Sequence, residues 1–284
     1  LGTYADKVAA TDATVFEQAW GQPITTEAYI QSLRSYGFNT IRIPVAWSNM
    51  DSEDGTYTIN EKYLGRVEEV VNYALNDGMY VIINDHFDYG WWGKFGACTE
   101  DANGNKIADE TTRAEALKRY ERYWEQISER FKGYSDHLIF ESANEEFGNH
   151  INDYNLGFNT AVNGVTGNLT VAECYTLTNK LNQDFVDIVR KSGGNNENRH
   201  LLLAGYNTDI KNTLDDSYKM PKDTDANGTS KLSVSVHYYD PTDYCISATS
   251  TTTWGYRDTW GTKEDYEYMT GSLARLKKFT DQGY

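Results

Sequence analysis

The residues best equipped for chemistry lie in one run: His137-Leu138-Ile139-Phe140-Glu141-Ser142-Ala143-Asn144-Glu145-Glu146. Leu138 to Phe140 is a short apolar segment of the kind that forms a buried strand. Directly after it stand Glu141, Asn144, Glu145 and Glu146. Ionised carboxylates beside a core are costly unless they are paired or put to use. An Asn followed at once by a Glu, at the carboxyl end of a strand, suits acid–base work on a hydroxylated molecule. The amide holds a hydroxyl while the carboxyl gives a proton to a departing oxygen. The plain alternative is a strand that runs into an acidic loop. This segment alone leaves the two readings balanced.

The flanking sequence supplies elements able to hold such a group. Thr25-Thr26-Glu27 opens a helix carrying Ile30 and Leu33, and Gly37 stops it. Residues 38–45 read as a strand. Asn60 caps a helix whose inner face is Leu64, Val67, Val71 and Leu75, ended by Gly78. A strand over 79–84, a helix over 112–131 and a strand over 137–142 follow. A helix over 171–191 closes at Gly193-Gly194. Strands over 201–204 and 232–237 and a last helix over 263–281 complete the series. Strands alternating with helices imply parallel βα units. Nearly continuous apolar strands imply burial on both faces.

Polar and aromatic residues collect at every strand exit: Arg42 and Trp47; His86, Trp91 and Trp92; Asn144 and Glu145; Tyr206 and Asn207; His237 and Tyr239. In a parallel barrel all these exits share one end, where sites are built. An open doubly wound sheet also gathers residues there, but normally brings a Gly-rich phosphate loop. None follows any strand here.

Composition narrows the partner. The 284 residues are 39% hydrophobic, enough for one large domain with a substantial core. Lys and Arg number 26 against 42 Asp and Glu, a formal charge of -16 that repels nucleic acid and anionic membranes. A neutral molecule fits better. Aromatics make up 14%, including 22 Tyr, a composition suited to sugars, whose C–H faces stack on rings. No segment approaches the apolar length of a membrane span. Cys98, Cys174 and Cys245 lack metal spacing, and a bridge between Cys98 and Cys245 ranks below separate thiols. Asp223-x-Asp225-x-Asn227-Gly228 begins like a calcium loop, but its closing Glu is replaced by Val234. Asn168-Leu-Thr and Asn227-Gly-Thr fit the glycosylation triplet.

Taken together, these stretches resemble glycoside hydrolase family 5, the cellulase family, and most of all its subfamily 4. The similarity rests on Leu1-Gly2-Thr3-Tyr4-Ala5-Asp6, on Trp20-Gly21-Gln22-Pro23 with Thr25-Thr26, and on Gly37-Phe38-Asn39-Thr40-Ile41-Arg42-Ile43-Pro44-Val45. It continues through Asn84-Asp85-His86, Glu141-x-x-Asn144-Glu145, His237-Tyr238-Tyr239-Asp240-Pro241 and Trp254-Gly255. The resemblance implies an α/β fold, a (β/α)8 barrel, with residues 1–284 as a single domain covering about strands two to six. It implies a retaining endo-β-1,4-glucanase with Glu145 as general acid/base. Asn144 would bond the sugar 2-hydroxyl. Arg42 would lie beneath the nucleophile, and Tyr239 would bond it. His86 and His237 would bond the sugar or orient the carboxylates. Trp47, Trp91, Trp92 and Trp254 would be stacking platforms, of which about two are expected to touch sugar. Glu141 would be a support residue. No cofactor or metal is implied.

The same resemblance puts the nucleophile, a Glu at the end of the seventh strand, beyond Tyr284, and the first strand before Leu1. Strands two and six are then expected to be edges, and the isolated chain to fold poorly and lack activity. Two positions depart from the family: Glu146 stands where Pro is usual, and Phe87 where a second His is frequent. An added carboxylate is expected to raise the pKa of Glu145. The expected substrate is a β-glucan: cellulose, mixed-linkage glucan or xyloglucan. A mannanase and a non-catalytic glucan-binding barrel are the alternatives. A metal-dependent barrel hydrolase is disfavoured because His-x-His spacing is absent. The protein is expected to be secreted or held at the cell surface, monomeric when complete, with no nucleic-acid partner and no membrane insertion.

Overall fold

Seven strands occur among the residues described by the computed structural model, which are 12–18, 21–86, 91–154, 167–223, 231–249 and 253–284. They are β1 (Thr40–Ile43), β2 (Tyr80–Asn84), β3 (Cys98–Glu100), β4 (Lys106–Ala108), β5 (Leu138–Glu141), β6 (Leu201–Ala204) and β7 (Leu232–Ser235). Five of them form one sheet in the order β1-β2-β5-β6-β7, and every neighbouring pair is parallel. Each strand thus pairs with the next in the chain, save for the small antiparallel ribbon β3–β4. A doubly wound sheet would reverse this order at a switch point. An unreversed order is the wall of a barrel, and the fold is of the (β/α)8 class.

The helices between the strands start where their caps dictate. The hydroxyl of Thr26 accepts the N–H of Tyr29 and opens the helix Glu27–Ser35. Asn60 opens Glu61–Asn76 through the N–H of Lys62. Asp109 opens Glu110–Phe131, two residues earlier than the sequence reading, because its carboxylate accepts both the N–H and the hydroxyl of Thr112. A reciprocal Thr170–Glu173 capping box opens Val171–Lys191. The last helix is split into Lys263–Arg275 and Lys277–Thr280. At the break, the N–H of Leu276 reaches back only three residues, to the carbonyl of Leu273.

The core lies between these helices and the sheet. Val67, Val71, Trp124, Phe131, Phe140 and Phe185 are fully buried, and Trp124 meets Phe185 in a T-shaped contact with centroids 4.5 Å apart. The central strands β2, β5 and β6 are buried or half-buried, apart from the exposed Tyr80 that opens β2, as their apolar runs predict. The edge strands are not: Thr40 and Arg42 of β1 are exposed, and Ser233, Val234 and Ser235 of β7 are half-buried. Burial on both faces therefore fails where a strand has a neighbour on one side only. The strand at 40–43 is also shorter than the expected 38–45, and Phe38 lies outside it, exposed. No helix among the described residues is long and apolar enough to cross a membrane.

Candidate active site

Polar side chains of three strands converge on Glu141, at the end of a fourth. This residue closes β5 and is 1% exposed, so its carboxylate must be met from within the protein. Arg42, on edge strand β1, donates from Nε to Glu141 Oε2 at 2.6 Å. Asn84, at the end of β2, donates from Nδ2 to the same oxygen at 3.0 Å. Ser235, on the opposite edge strand β7, donates to Glu141 Oε1 at 2.8 Å. Strands β1 and β7 each lie two places from β5. In a flat sheet such strands would be about 9.5 Å away. Bonding both to one carboxylate, one through a side chain as short as Ser, requires the sheet to curl around Glu141.

Arg42 carries the network upward. Its second arm donates to Asn144 Oδ1 at 3.0 Å. The Asn144 backbone N–H is held at 3.0 Å by the carbonyl of Asp85 and at 2.7 Å by the carboxylate of Glu146. Asn144 is 2% exposed, and its Nδ2 has no hydrogen-bond partner among the described residues. A buried donor without a partner costs about 1–3 kcal/mol. That group is therefore a natural place for a ligand hydroxyl.

Glu145 sits one residue further on, with a quarter of its side chain exposed. His237 Nδ1 lies 2.6 Å from Glu145 Oε1, and the hydroxyl of Tyr239 donates to the same oxygen at 2.9 Å. The hydrogen bond from His237 holds the Glu145 carboxyl below its ordinary range, against the opposing effect of burial, with Tyr239 assisting. His86 is set differently. Burial, reinforced by the charge of Arg42, pushes its pKa down to about 3, so the ring is neutral near pH 7. Its Nδ1 lies 3.3 Å from the amide nitrogen of Asn84 and accepts from it, which leaves the ring proton on Nε2.

The structure thus brings together Arg42, His86, Asn144, Glu145, His237 and Tyr239. Within this group Arg42 pairs with Glu141, and the Tyr239 hydroxyl bonds Glu145. One expectation is corrected: Glu146 folds back onto the Asn144 N–H, and Glu145 is shifted down, not up. Three of the four Trp platforms are packing residues. Trp47 is fully buried and donates from Nε1 to the carbonyl of Asn84 at 3.0 Å. Trp91 and Trp92 stack on each other at 4.2 Å, and Trp92 meets Phe147 in a T-shaped contact. Both are at least 97% buried, so no ring face is offered to a ligand. Trp254 is 60% exposed and remains available.

Sequence reasoning missed Asn84 and Ser235 as members of the network. The available signal was a lone amide closing the apolar run 79–84 and a Ser set between apolar positions of 232–237. The loop after β5 is also anchored where no motif marked it. Ser142 Oγ donates to Asn182, and the N–H of Ala204 donates to Ser142 Oγ. Gly148 has φ +103°, and a Cβ there would meet Asn207 Oδ1 at 2.2 Å. Only Gly fits this position, where Asn207 Oδ1 accepts the next N–H, that of Asn149, at 2.7 Å.

No group of three or more His, Cys, Asp or Glu among the described residues is arranged to hold a metal ion. Asp223 of the calcium-like loop pairs instead with Arg190 at 2.8 Å, while positions 225, 227 and 228 lie outside the described residues. Cys98 and Cys245 are not joined.

The sheet order is that of a barrel wall with a carboxylate cluster at its carboxyl end, and comparison with known proteins gives the family. Residues 4–278 match the cellulase model of glycosyl hydrolase family 5, and the chain belongs to that family. Endoglucanase A of Paenibacillus barcinonensis is 35% identical over 292 residues, covering 97% of this chain and 66% of the relative. A xyloglucan-specific endo-β-1,4-glucanase of Bacteroides ovatus is 35% identical over 231 residues, covering 81% of this chain and 40% of the relative. The chain therefore spans about two thirds or less of these relatives. Among solved structures, a family 5 lichenase from Caldicellulosiruptor sp. F32 superposes with a TM-score of 0.79 at 31% identity, covering 99% of this chain and 70% of that one. A subfamily 4 broad-specificity endoglucanase from an uncultured bovine rumen ciliate gives 0.73 at 30% identity, covering 100% and 71%.

Proposed function

We propose that this chain carries the acid/base machinery of a retaining endo-β-1,4-glucanase acting on plant cell-wall β-glucans. The observation that carries the reading is the pair Asn144–Glu145: a buried amide donor with no partner among the described residues, beside a half-buried carboxyl whose Oε1 is held by His237 and Tyr239. Relatives named endoglucanase, xyloglucanase and lichenase support a β-glucan substrate.

In the first step the protonated Glu145 gives its proton to the glycosidic oxygen as a carboxylate attacks the anomeric carbon and the C–O bond breaks. In the second, ionised Glu145 takes a proton from water, which attacks the same carbon and releases the carboxylate. Oε2 is the working oxygen, since Oε1 is occupied. The hydrogen bonds on Oε1 favour the ionised form needed in the second step. A substrate that expels water raises the proton affinity for the first. Glu141 and Glu146 are engaged within the protein, so neither supplies the nucleophile. Asn144 Nδ2 bonds the sugar 2-hydroxyl, a contact that strengthens as charge develops at the anomeric carbon. His86 presents a neutral Nε2–H.

An insoluble or very large substrate implies action outside the cell, and a single Glu145 centre requires no second subunit. The test is a comparison of viscosity with reducing ends on barley β-glucan, using the protein that carries this chain. Viscosity should fall well before reducing ends accumulate. Release of one short product from the outset would point to an exo enzyme, and no release at all to a binding protein.

A further inference from the structure

Glu146 is a carboxylate that the reaction does not use and the fold has taken trouble to place. It is 5% exposed, next in sequence to Glu145 and beside the fully buried Phe147. Burying a carboxylate so deeply is unfavourable unless it makes strong hydrogen bonds. Its Oε2 turns back two residues and accepts the N–H of Asn144 at 2.7 Å, a charge-assisted bond. That N–H already reaches the carbonyl of Asp85 at 3.0 Å, so Glu146 makes it a shared donor fixed from two sides.

The position of this N–H governs the site. It fixes the peptide plane at the root of Asn144, whose side chain spans from Arg42 on one arm to the unpartnered Nδ2 on the other. It also sets the direction in which the next residue, Glu145, leaves the backbone. The rest of the loop is held further away, at Ser142 by Asn182 and at Gly148 by the hydroxyl of Thr178 at 3.0 Å. Between those anchors, the Asp85 carbonyl and the Glu146 carboxylate are what hold the Asn144 N–H itself.

We propose that Glu146 is a positioning residue for the reaction: through the Asn144 N–H it holds the Asn144 amide and the Glu145 carboxyl in register with the substrate. The inference rests on the functional reading above. Losing this bond lets the Asn144–Glu145 segment drift. A displacement of about 1 Å in a reacting group is enough to lower turnover roughly 100-fold while leaving ground-state binding largely intact.

The experiment compares Glu146→Leu and Glu146→Gln with the wild type, in the protein that carries this chain, by kcat and KM on barley β-glucan and by thermal midpoint. Gln keeps an oxygen that accepts the N–H but carries no charge. Glu146→Leu is expected to lower kcat roughly 10- to 100-fold with KM within about twofold. Glu146→Gln is expected to stay within about threefold of wild type. A folded Glu146→Leu variant with wild-type kcat overturns the proposal, as does a Gln variant as impaired as Leu. If Leu unfolds the protein, Glu146→Asp decides. It keeps the charge but is one methylene too short to reach the N–H. Impaired turnover supports the proposal and wild-type turnover overturns it. Wild type inactive on glucan would overturn the functional reading and this inference together, whereas an active wild type with indifferent Glu146 variants overturns this inference alone.

Discussion

His237 Nδ1 and Glu145 Oε1 are 2.6 Å apart, and this contact fixes which way the Glu145 proton equilibrium leans. A donor on the carboxylate favours its charged form, so the Glu145 pKa lies below the ordinary value. The general acid works only while protonated, so kcat/KM falls as pH rises through this pKa. His237→Phe removes the donor, and the Glu145 pKa should rise. The basic limb of the kcat/KM profile should then move to higher pH. A limb that stays in place or moves down would contradict the assignment.

The same shift has a stability consequence. With the native pKa below the unfolded one, about 4.3 for Glu, ionised Glu145 stabilises the fold above that pH. The contribution is lost as pH falls through the lower native value. Glu145→Gln has no such group. Its thermal midpoint should fall less on acidification from pH 6 to pH 3 than that of wild type. Parallel falls would argue against the shift.

Arg42 and Glu141 predict a cost in stability as well as activity. Glu141 is 2% exposed at its side chain, and Arg42 is its only cationic partner among the described residues. Arg42→Met leaves a buried carboxylate with only Asn84 and Ser235 to meet it. Removing one member of a buried pair costs about 3–5 kcal/mol, and partial exposure of Arg42 places this case at the lower end. Urea unfolding should show a loss of about 3 kcal/mol. Arg42→Lys should not restore it fully, because Lys cannot reach Glu141 and Asn144 with two separate arms.

Much of this arrangement was legible in the sequence. The helix caps Thr26 and Asn60 and the strand 201–204 fall where their residues predict. Arg42, His86, Asn144, Glu145, His237 and Tyr239 announce themselves as polar groups ending apolar runs. What stayed hidden depends on distance across the sheet. That Arg42 would meet Glu141 follows from curvature, which no local pattern encodes. Trp91 and Trp92 read as platforms because aromatic side chains look alike in sequence whether they face sugar or core. Their burial is decided by Tyr123 beside Trp91 and by Tyr120 and Phe147 beside Trp92, from elements distant in the chain. Glu146 read as a neighbouring charge because sequence does not show that its side chain turns back on Asn144.

The difference between the tryptophans is itself testable. Trp254 is 60% exposed, so Trp254→Ala should leave the thermal midpoint nearly unchanged and raise KM for glucan several-fold. Trp92→Ala empties a packed site beneath Phe147 and should destabilise by about 3–5 kcal/mol. Calorimetry and substrate titration on the two variants separate platform from core. An unchanged KM for Trp254→Ala would remove it from the substrate surface.

Gly148→Ala should be costly for a residue that changes by one methyl group. Its φ of +103° disfavours any side chain, and the new Cβ would stand 2.7 Å from the backbone nitrogen of Asn207. Strain of this kind costs about 1–3 kcal/mol before the clash is counted. Chemical denaturation should show at least that loss, together with reduced turnover as the loop after Glu145 shifts. A neutral substitution would mean that the loop is not held as described.

The role of Glu145 is tested most directly by Glu145→Ala, in the protein that carries this chain, with added azide. Hydrolysis of barley β-glucan should fall roughly 100- to 10,000-fold, because its leaving group needs a proton. An aryl β-cellobioside with a good leaving group needs little acid help, so its first step should persist and the glycosyl-enzyme should accumulate. Azide requires no general base. It should attack the anomeric carbon, displace the enzyme carboxylate, restore turnover and yield β-cellobiosyl azide. Glucan hydrolysis at the wild-type rate, or azide without effect on the aryl substrate, would contradict the assignment of Glu145 as the acid/base.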